Sequence, residues 1–249
     1  LNSPILKNSS LELFTGDTPE GHDTLLHSTA HLMAQAVKLL FPKTKVTIGP
    51  TIENGFYYDF DVSVPFSEEI LIKIEKKMKE LANQKIEIHR HEVSVKKAIK
   101  IFRELDENYK VEIIEQINPN DVITTYRQSD FTDLCRGPHV SNTSKIKHFK
   151  LLSTSGAYWR GNENNKMLQR IYGTVFSNKT ALKRYLNLLE EAKKRDHRKL
   201  GKELKLFFFD EEIGPGLPLW LPNGTVIIEE IEKLAKEYER NLGYSQVRT

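Results

Sequence analysis

The chain has 249 residues, 39% of them hydrophobic and 29% charged, with a net charge of +3. That length can bury a full core in one large domain or two ordinary ones. No apolar run is long enough to span a bilayer, and the N-terminal LNSPILKNSSLELF lacks the basic-then-apolar plan of a secretory signal. One cysteine, Cys135, excludes an intrachain disulfide and suits a reducing compartment.

LELF, residues 11–14, reads as a short strand at the end of something upstream. A helix follows over 22–40, where Leu26, Ala30, Met33, Val37 and Leu40 make an apolar stripe that Pro42 ends. TIGPTIENGFYYDFDV (47–62) reads as a hairpin. Ser67 caps a second helix over 68–83, with Ile70, Ile74, Met78 and Leu81 as its buried face. KIEIHRHEV alternates like a half-exposed strand, and Ser94 caps a third helix near 95–105. VITTYRQSDFTDLCRGPHV reads as two short strands and a tight loop at Gly137-Pro138, and KMLQRIYGTVF as another strand. A basic helix is expected over 180–200. The stretch 179–205 holds ten Lys/Arg against four Asp/Glu, which suits a solvated face or a phosphate-facing stripe. A strand in LKLFFFD, a Gly/Pro-rich turn and a last helix near 225–241 complete the chain. The composition shift at 178–200 marks a domain boundary. Too little follows it to bury a core, so the chain is expected to be cut at both ends.

Two residue sets carry chemistry. His27 and His31, four apart on the first helix, share one face beside the apolar stripe, at the wall of a cleft. The zinc-protease motif is excluded, because it needs a Glu after the first His and Ser28 stands there. Cys135 and His139 repeat the spacing in a loop, with Asp133 two residues before the cysteine. Three imidazoles and a thiol are the right count for a tetrahedral zinc. They also suit a metal-free hydrolytic site in which imidazoles position a water and take its proton. Spacing leaves both open, beside the plainer reading of histidines satisfied at a core edge.

HSTAHLMAQAV, GPTIENGFYYDFD, DLCRGPHV, GAYWRGNENNKMLQRIYGT and KRDHRKLGKEL together closely resemble bacterial-type threonyl-tRNA synthetases, in order and over nearly the whole chain. The resemblance implies an α+β fold. Residues 1–16 would be the tail of a small ubiquitin-like domain. Residues 17–177 would form the editing domain shared with alanyl-tRNA synthetases, a mixed domain of antiparallel sheet and packed helices. Residues 178–195 would be a linker helix, and 196–249 the start of a class II catalytic domain with its motif 1 dimer helix. ATP, magnesium and the threonine-binding zinc would belong to the part of the parent enzyme beyond this chain, which is expected to lie in the cytoplasm.

The implied chemistry follows from one methyl group. A pocket that accepts threonine rejects serine by only about 1–3 kcal/mol, so a second site must hydrolyse the seryl ester of threonine tRNA. The resemblance implies that His27 positions or deprotonates the water and Lys110 protonates or anchors the leaving ribose oxygen. Asp133 would bind the serine ammonium, while His31, Cys135 and His139 line the pocket. Tyr57 would support the terminal adenine, and Lys183, Arg184, Lys193 and Lys194 would meet acceptor-stem phosphates. No metal is expected to be required, with zinc at His27, His31, Cys135 and His139 as the alternative. The rival readings are a non-catalytic tRNA-binding module with a structural His/Cys cluster, and a free-standing editing factor, against which the motif 1 segment argues.

Overall fold

The computed structural model describes residue 8, residues 10–214 and residues 216–247. Half of the expected ubiquitin-like tail, residues 1–7 and 9, lies outside the described residues. Leu11–Phe14, expected as a short strand, forms none and is exposed. The chain falls into two compact units, residues 1–182 and 183–249.

The first unit opens with helix α1 (Pro19–Leu40), three residues earlier than the apolar stripe suggests. Thr18 caps it by accepting from the Gly21 N–H, and Pro19 occupies the first turn, where its missing N–H is harmless. Strands β1 (Lys45–Val46), β2 (Thr51–Ile52) and β3 (Gly55–Asp61) follow, then α2 (Glu68–Asn83), capped by Ser67 as its sequence predicts. Next come β4 (Ile88–Ser94), α3 (Val95–Glu104), α4 (Asn108–Ile114), β5 (Val122–Gln128), β6 (Phe131–Leu134), β7 (His148–Tyr158) and β8 (Met167–Phe176).

Two antiparallel sheets result. In one, β1, β3, β8 and β7 are neighbours in that order and β2 also pairs with β3; in the other the order is β4-β5-β6. Helices α1 and α2 bury their apolar faces on the larger sheet, around Leu32, Met33, Val37, Phe56, Phe60, Ile74, Met78 and Ile171. A second, smaller core lies under α3 and α4, around Val93, Ala98, Phe102, Val111, Ile114 and Ile123. The fold is α+β, with every strand pair antiparallel.

Helix α5 (Lys179–Lys194) begins in the first unit and runs into the second. The basic helix expected over 180–200 is therefore two helices, because Asp196 accepts from the Arg198 N–H and caps a separate α6 (His197–Glu203). The second unit adds a hairpin of β9 (Phe207–Phe209) and β10 (Pro218–Trp220), and α7 (Pro222–Asn241). Among the described residues no helix is long and apolar enough to cross a membrane.

Candidate active site

On α1 the residues 27, 31, 35 and 38 lie on one face, at the border of the apolar stripe. This row meets the ends of β5 and β6, the ring of Tyr58 from β3, and α4. Strand alternation decides which tyrosine arrives: Phe56, Tyr58 and Phe60 point into the core, while Tyr57 points to the other face of the sheet. Gly49 permits the approach, since a Cβ there would stand 2.2 Å from the Tyr58 ring.

The four expected donor residues do converge. Cys135 Sγ lies 3.2 Å from His27 Nε2 and 3.2 Å from His139 Nε2, and it accepts the Gly137 N–H at 3.2 Å. The His31 ring stands 5.1 Å from that of His27 and 4.3 Å from that of His139. Ser28, dismissed in the sequence as a failed protease motif, bonds His139 Nδ1 at 3.1 Å. The loop can turn this tightly because Gly137 adopts a φ of +73°, beside the Tyr126 hydroxyl, where a Cβ would stand 2.0 Å from the oxygen.

Next to the cluster sits a buried charge centre. The Asp133 carboxylate receives Lys110 Nζ at 2.5 Å, the Tyr58 hydroxyl at 2.7 Å and its neighbour's Leu134 N–H at 2.8 Å, with His31 Nδ1 at 3.4 Å. Lys110 Nζ also donates to the Tyr58 hydroxyl at 3.0 Å. Lys110 and Asp133 are 3% and 1% exposed, so neither charge is tolerable without the other.

Burial pushes the three imidazoles below the usual histidine range: His27 below it, His31 well below it with His27 and Lys110 adding to the effect, and His139 to about 2 with the neighbouring imidazoles of His31 and His27 disfavouring a further proton. Burial likewise pushes the Cys135 thiol up to about 11 and the Tyr58 hydroxyl well above its ordinary value, with Asp133 adding to both. At neutral pH the cluster is a set of neutral imidazoles and a neutral thiol.

His27, His31, Tyr58, Lys110, Asp133 and Cys135 line one cavity of about 680 Å³, closed further by Ile48–Pro50, Ile113 and Ile117 and carrying Asp121 and Arg136. This volume lies within the range of small-molecule sites. His139 stands behind Cys135, and Tyr57 is not brought to the cavity; its ring stacks on the Arg170 guanidinium at 3.7 Å. Tyr58 is the residue sequence reading missed, and alternation in GFYYDFD was the available signal. Lys183, Arg184, Lys193 and Lys194 are exposed on α5.

The donor atoms of His27, His31, Cys135 and His139 lie within 4.8 Å of one another. That spread is compatible with a tetrahedral zinc, whose ligands sit about 2.0–2.3 Å from the metal. With all four donors bound the tetrahedron would be closed, and zinc would tie the loop to α1; it would supply Lewis-acid chemistry only with one donor released.

Residues 123–172 match the family described as the threonyl and alanyl tRNA synthetase second additional domain, which spans β5 to β8 and includes the Asp133–His139 loop. The whole chain is 53% identical to a threonine–tRNA ligase of Anoxybacillus flavithermus, covering 39% of that protein. It is 52% identical to one of Clostridium novyi, over 98% of this chain and 38% of the relative. The chain spans about 39% of the length of the relatives it matches. A likeness of this closeness along every described element places the chain in the threonine–tRNA ligase family, as a portion that carries the second additional domain.

Proposed function

We propose that this chain hydrolyses the ester bond of seryl-tRNA(Thr), as the editing part of a protein that attaches threonine to tRNA(Thr) with ATP. The observation that carries the reading is the convergence of α1 and the distant Asp133–His139 loop, with Lys110 between them, on one cavity.

In this mechanism a water held beside His27, in the cavity that His31 and Cys135 also line, attacks the ester carbonyl, and His27 takes its proton. The tetrahedral intermediate collapses by breaking the bond to the ribose oxygen, which takes a proton from Lys110. The products are serine and a free tRNA terminus. Asp133 orients Lys110 and His31 and supplies the negative charge toward which a serine ammonium is drawn. An adenine contact by Tyr57 would need the nucleotide to reach the other face of the sheet. No metal is required on this reading; a stoichiometric zinc that is lost in His27→Ala would replace it with the zinc-held form of the same site.

The remaining assignments belong to the same reading. Residues 1–16 are the end of a ubiquitin-like domain, 17–177 the editing domain, 178–195 a linker helix, and 196–249 the start of a class II catalytic domain. Along α7 the side chains Ile227, Ile231, Leu234 and Tyr238 are exposed at 4-3-4 spacing, which suits the dimer helix of the parent enzyme. Lys183, Arg184, Lys193 and Lys194 meet acceptor-stem phosphates, so tRNA binding weakens steeply with salt. The whole works in the cytoplasm.

The test is release of serine from mischarged tRNA(Thr). His27→Ala and Lys110→Ala are expected to lose about 100-fold or more in rate. Tight, salt-dependent tRNA binding with no serine release by the unaltered chain would leave a tRNA-binding module with a structural cluster.

A further inference from the structure

The hydrogen-bonding capacity of Ser28 fixes the proton order of the whole cluster. A hydroxyl has one hydrogen to donate and two lone pairs. The Ser28 hydroxyl, fully buried, lies 2.7 Å from the Thr24 carbonyl, which can only accept, so its hydrogen goes there. The Val140 N–H, which can only donate, takes one lone pair at 3.0 Å. What remains toward His139 Nδ1, at 3.1 Å, is a lone pair, so Nδ1 must carry a hydrogen and donate it.

The rest follows in sequence. A neutral His139 with its proton on Nδ1 has a bare Nε2, and this faces Cys135 Sγ at 3.2 Å. Two lone pairs cannot face each other there, so the thiol hydrogen points to His139. The sulfur then meets His27 Nε2 at 3.2 Å with a lone pair only, as it meets the Gly137 N–H. His27 Nε2 must therefore carry the ring proton. The base nitrogen of His27 is left as Nδ1, to which no described residue donates a hydrogen bond.

We infer that Ser28 is a positioning residue that sets the tautomer of His27 through His139 and Cys135, leaving Nδ1 of His27 as the atom that takes the proton of the attacking water. The last clause rests on the hydrolase reading; the proton order does not. A zinc on the cluster would instead need a thiolate and a bare Nε2 on both rings.

Two-bond nitrogen–proton spectra of the 15N-histidine chain separate protonated from bare ring nitrogens. The expected spectrum has His139 protonated on Nδ1 and His27 on Nε2. Cys135→Ser, which keeps one donor and one acceptor, preserves both tautomers. Cys135→Ala releases that of His27. Ser28→Ala releases that of His139, and serine release then falls about tenfold in kcat with KM within about twofold. A wild-type His27 protonated on Nδ1, a zinc-bound pattern, or a Ser28→Ala chain with unchanged tautomers would each overturn the proton order. Correct tautomers with no serine release would leave that order standing and remove the hydrolase instead.

Discussion

The two ends of one helix face in α1 are chemically alike and do opposite things. At the N-terminal end His27 and His31 stand beside the Lys110–Asp133 pair. At the C-terminal end Gln35 and Lys38 stand beside Glu107, whose carboxylate receives Lys38 Nζ at 2.6 Å. The difference lies in where the remaining hydrogen-bonding capacity goes. Lys38 gives its other hydrogens to the carbonyls of Pro42 and Thr44, Glu107 accepts the Val46 N–H, and Gln35 donates to the Gln128 carbonyl. All of these are backbone groups, so the effect is to pin loops. Lys110 and Asp133 turn instead to Tyr58 and His31, side chains that line a 680 Å³ cavity. The cavity at the Lys38 end measures about 290 Å³ and carries no imidazole among its lining residues. Apart from the Gln35–Gln128 side-chain pair at one end and the Leu134 N–H on Asp133 at the other, the spare bonds of the Lys38 end go to backbone and those of the Lys110 end to side chains that line the cavity.

The sharpest break of this contrast is at the scaffold end. Lys38→Ala leaves the Glu107 carboxylate, 4% exposed, without a counter-charge, and should destabilise the chain by about 3–5 kcal/mol in urea unfolding. Glu107→Ala should do less, because the Lys38 ammonium is 23% exposed and water can reach it. In Lys38→Ala, serine release per folded molecule should stay within about threefold. A large rate loss there would mean that the two ends act as one unit.

At the cavity end the order reverses. Tyr58→Phe removes one hydroxyl that donates to Asp133 and accepts from Lys110. Stability should fall by about 1.5–3 kcal/mol, as for a hydrogen bond to charged groups, and serine release by about tenfold as Lys110 loses its second anchor. Normal kcat with reduced stability would assign Tyr58 to the scaffold.

Acid should distinguish the ends next. His27, His31 and His139 have pKa values lowered in the folded state, chiefly by burial, while the unfolded chain takes up their protons near 6.5. The unfolded state therefore binds more protons below pH 6.5. Stability should be full above that pH and decline as the pH falls, each histidine adding at most about 1.4 kcal/mol per pH unit. For His139 the decline continues toward pH 2. His139→Asn should flatten the slope between pH 6.5 and 4, whereas Gln35 and Lys38 variants should keep it.

Much of this was legible in the sequence, and the misses have physical causes. The α1 stripe, the Ser67 and Ser94 caps and the His/Cys spacing are local signals, and the structure brings the four cluster residues together. Helix α4, which carries Lys110, escaped because it has seven residues and no side-chain N-cap, and is held by packing on the smaller core. Strand β7, eleven residues long, escaped because a bulge between Leu151 and Ser153 breaks its alternation. Strand β10 lay hidden in a Gly/Pro-rich stretch, admissible only because it is one edge of a two-stranded hairpin. Tyr57 and Tyr58 are adjacent, and which one enters the core is set by the register of β3 on β8.

The smallest expected effect tests the contrast most closely. Gln35 and Gln128 are both buried and bond each other, yet the Gln128 Oε1 has no donor among the described residues. Gln128→Met removes that unsatisfied acceptor but strands the Gln35 Oε1 in its place, so it should cost about 1–2 kcal/mol. Converting Gln35 to Met as well removes both stranded acceptors, leaving the Gln128 carbonyl as the one group that loses a donor. The double variant should then lie within about 1 kcal/mol of the parent, a positive coupling that unfolding of the four chains measures directly. Serine release should be the same in all four. If the double variant instead loses hydrolysis at unchanged stability, the polar row conducts order from Gln35 to His31, and scaffold and site cannot be separated along this helix.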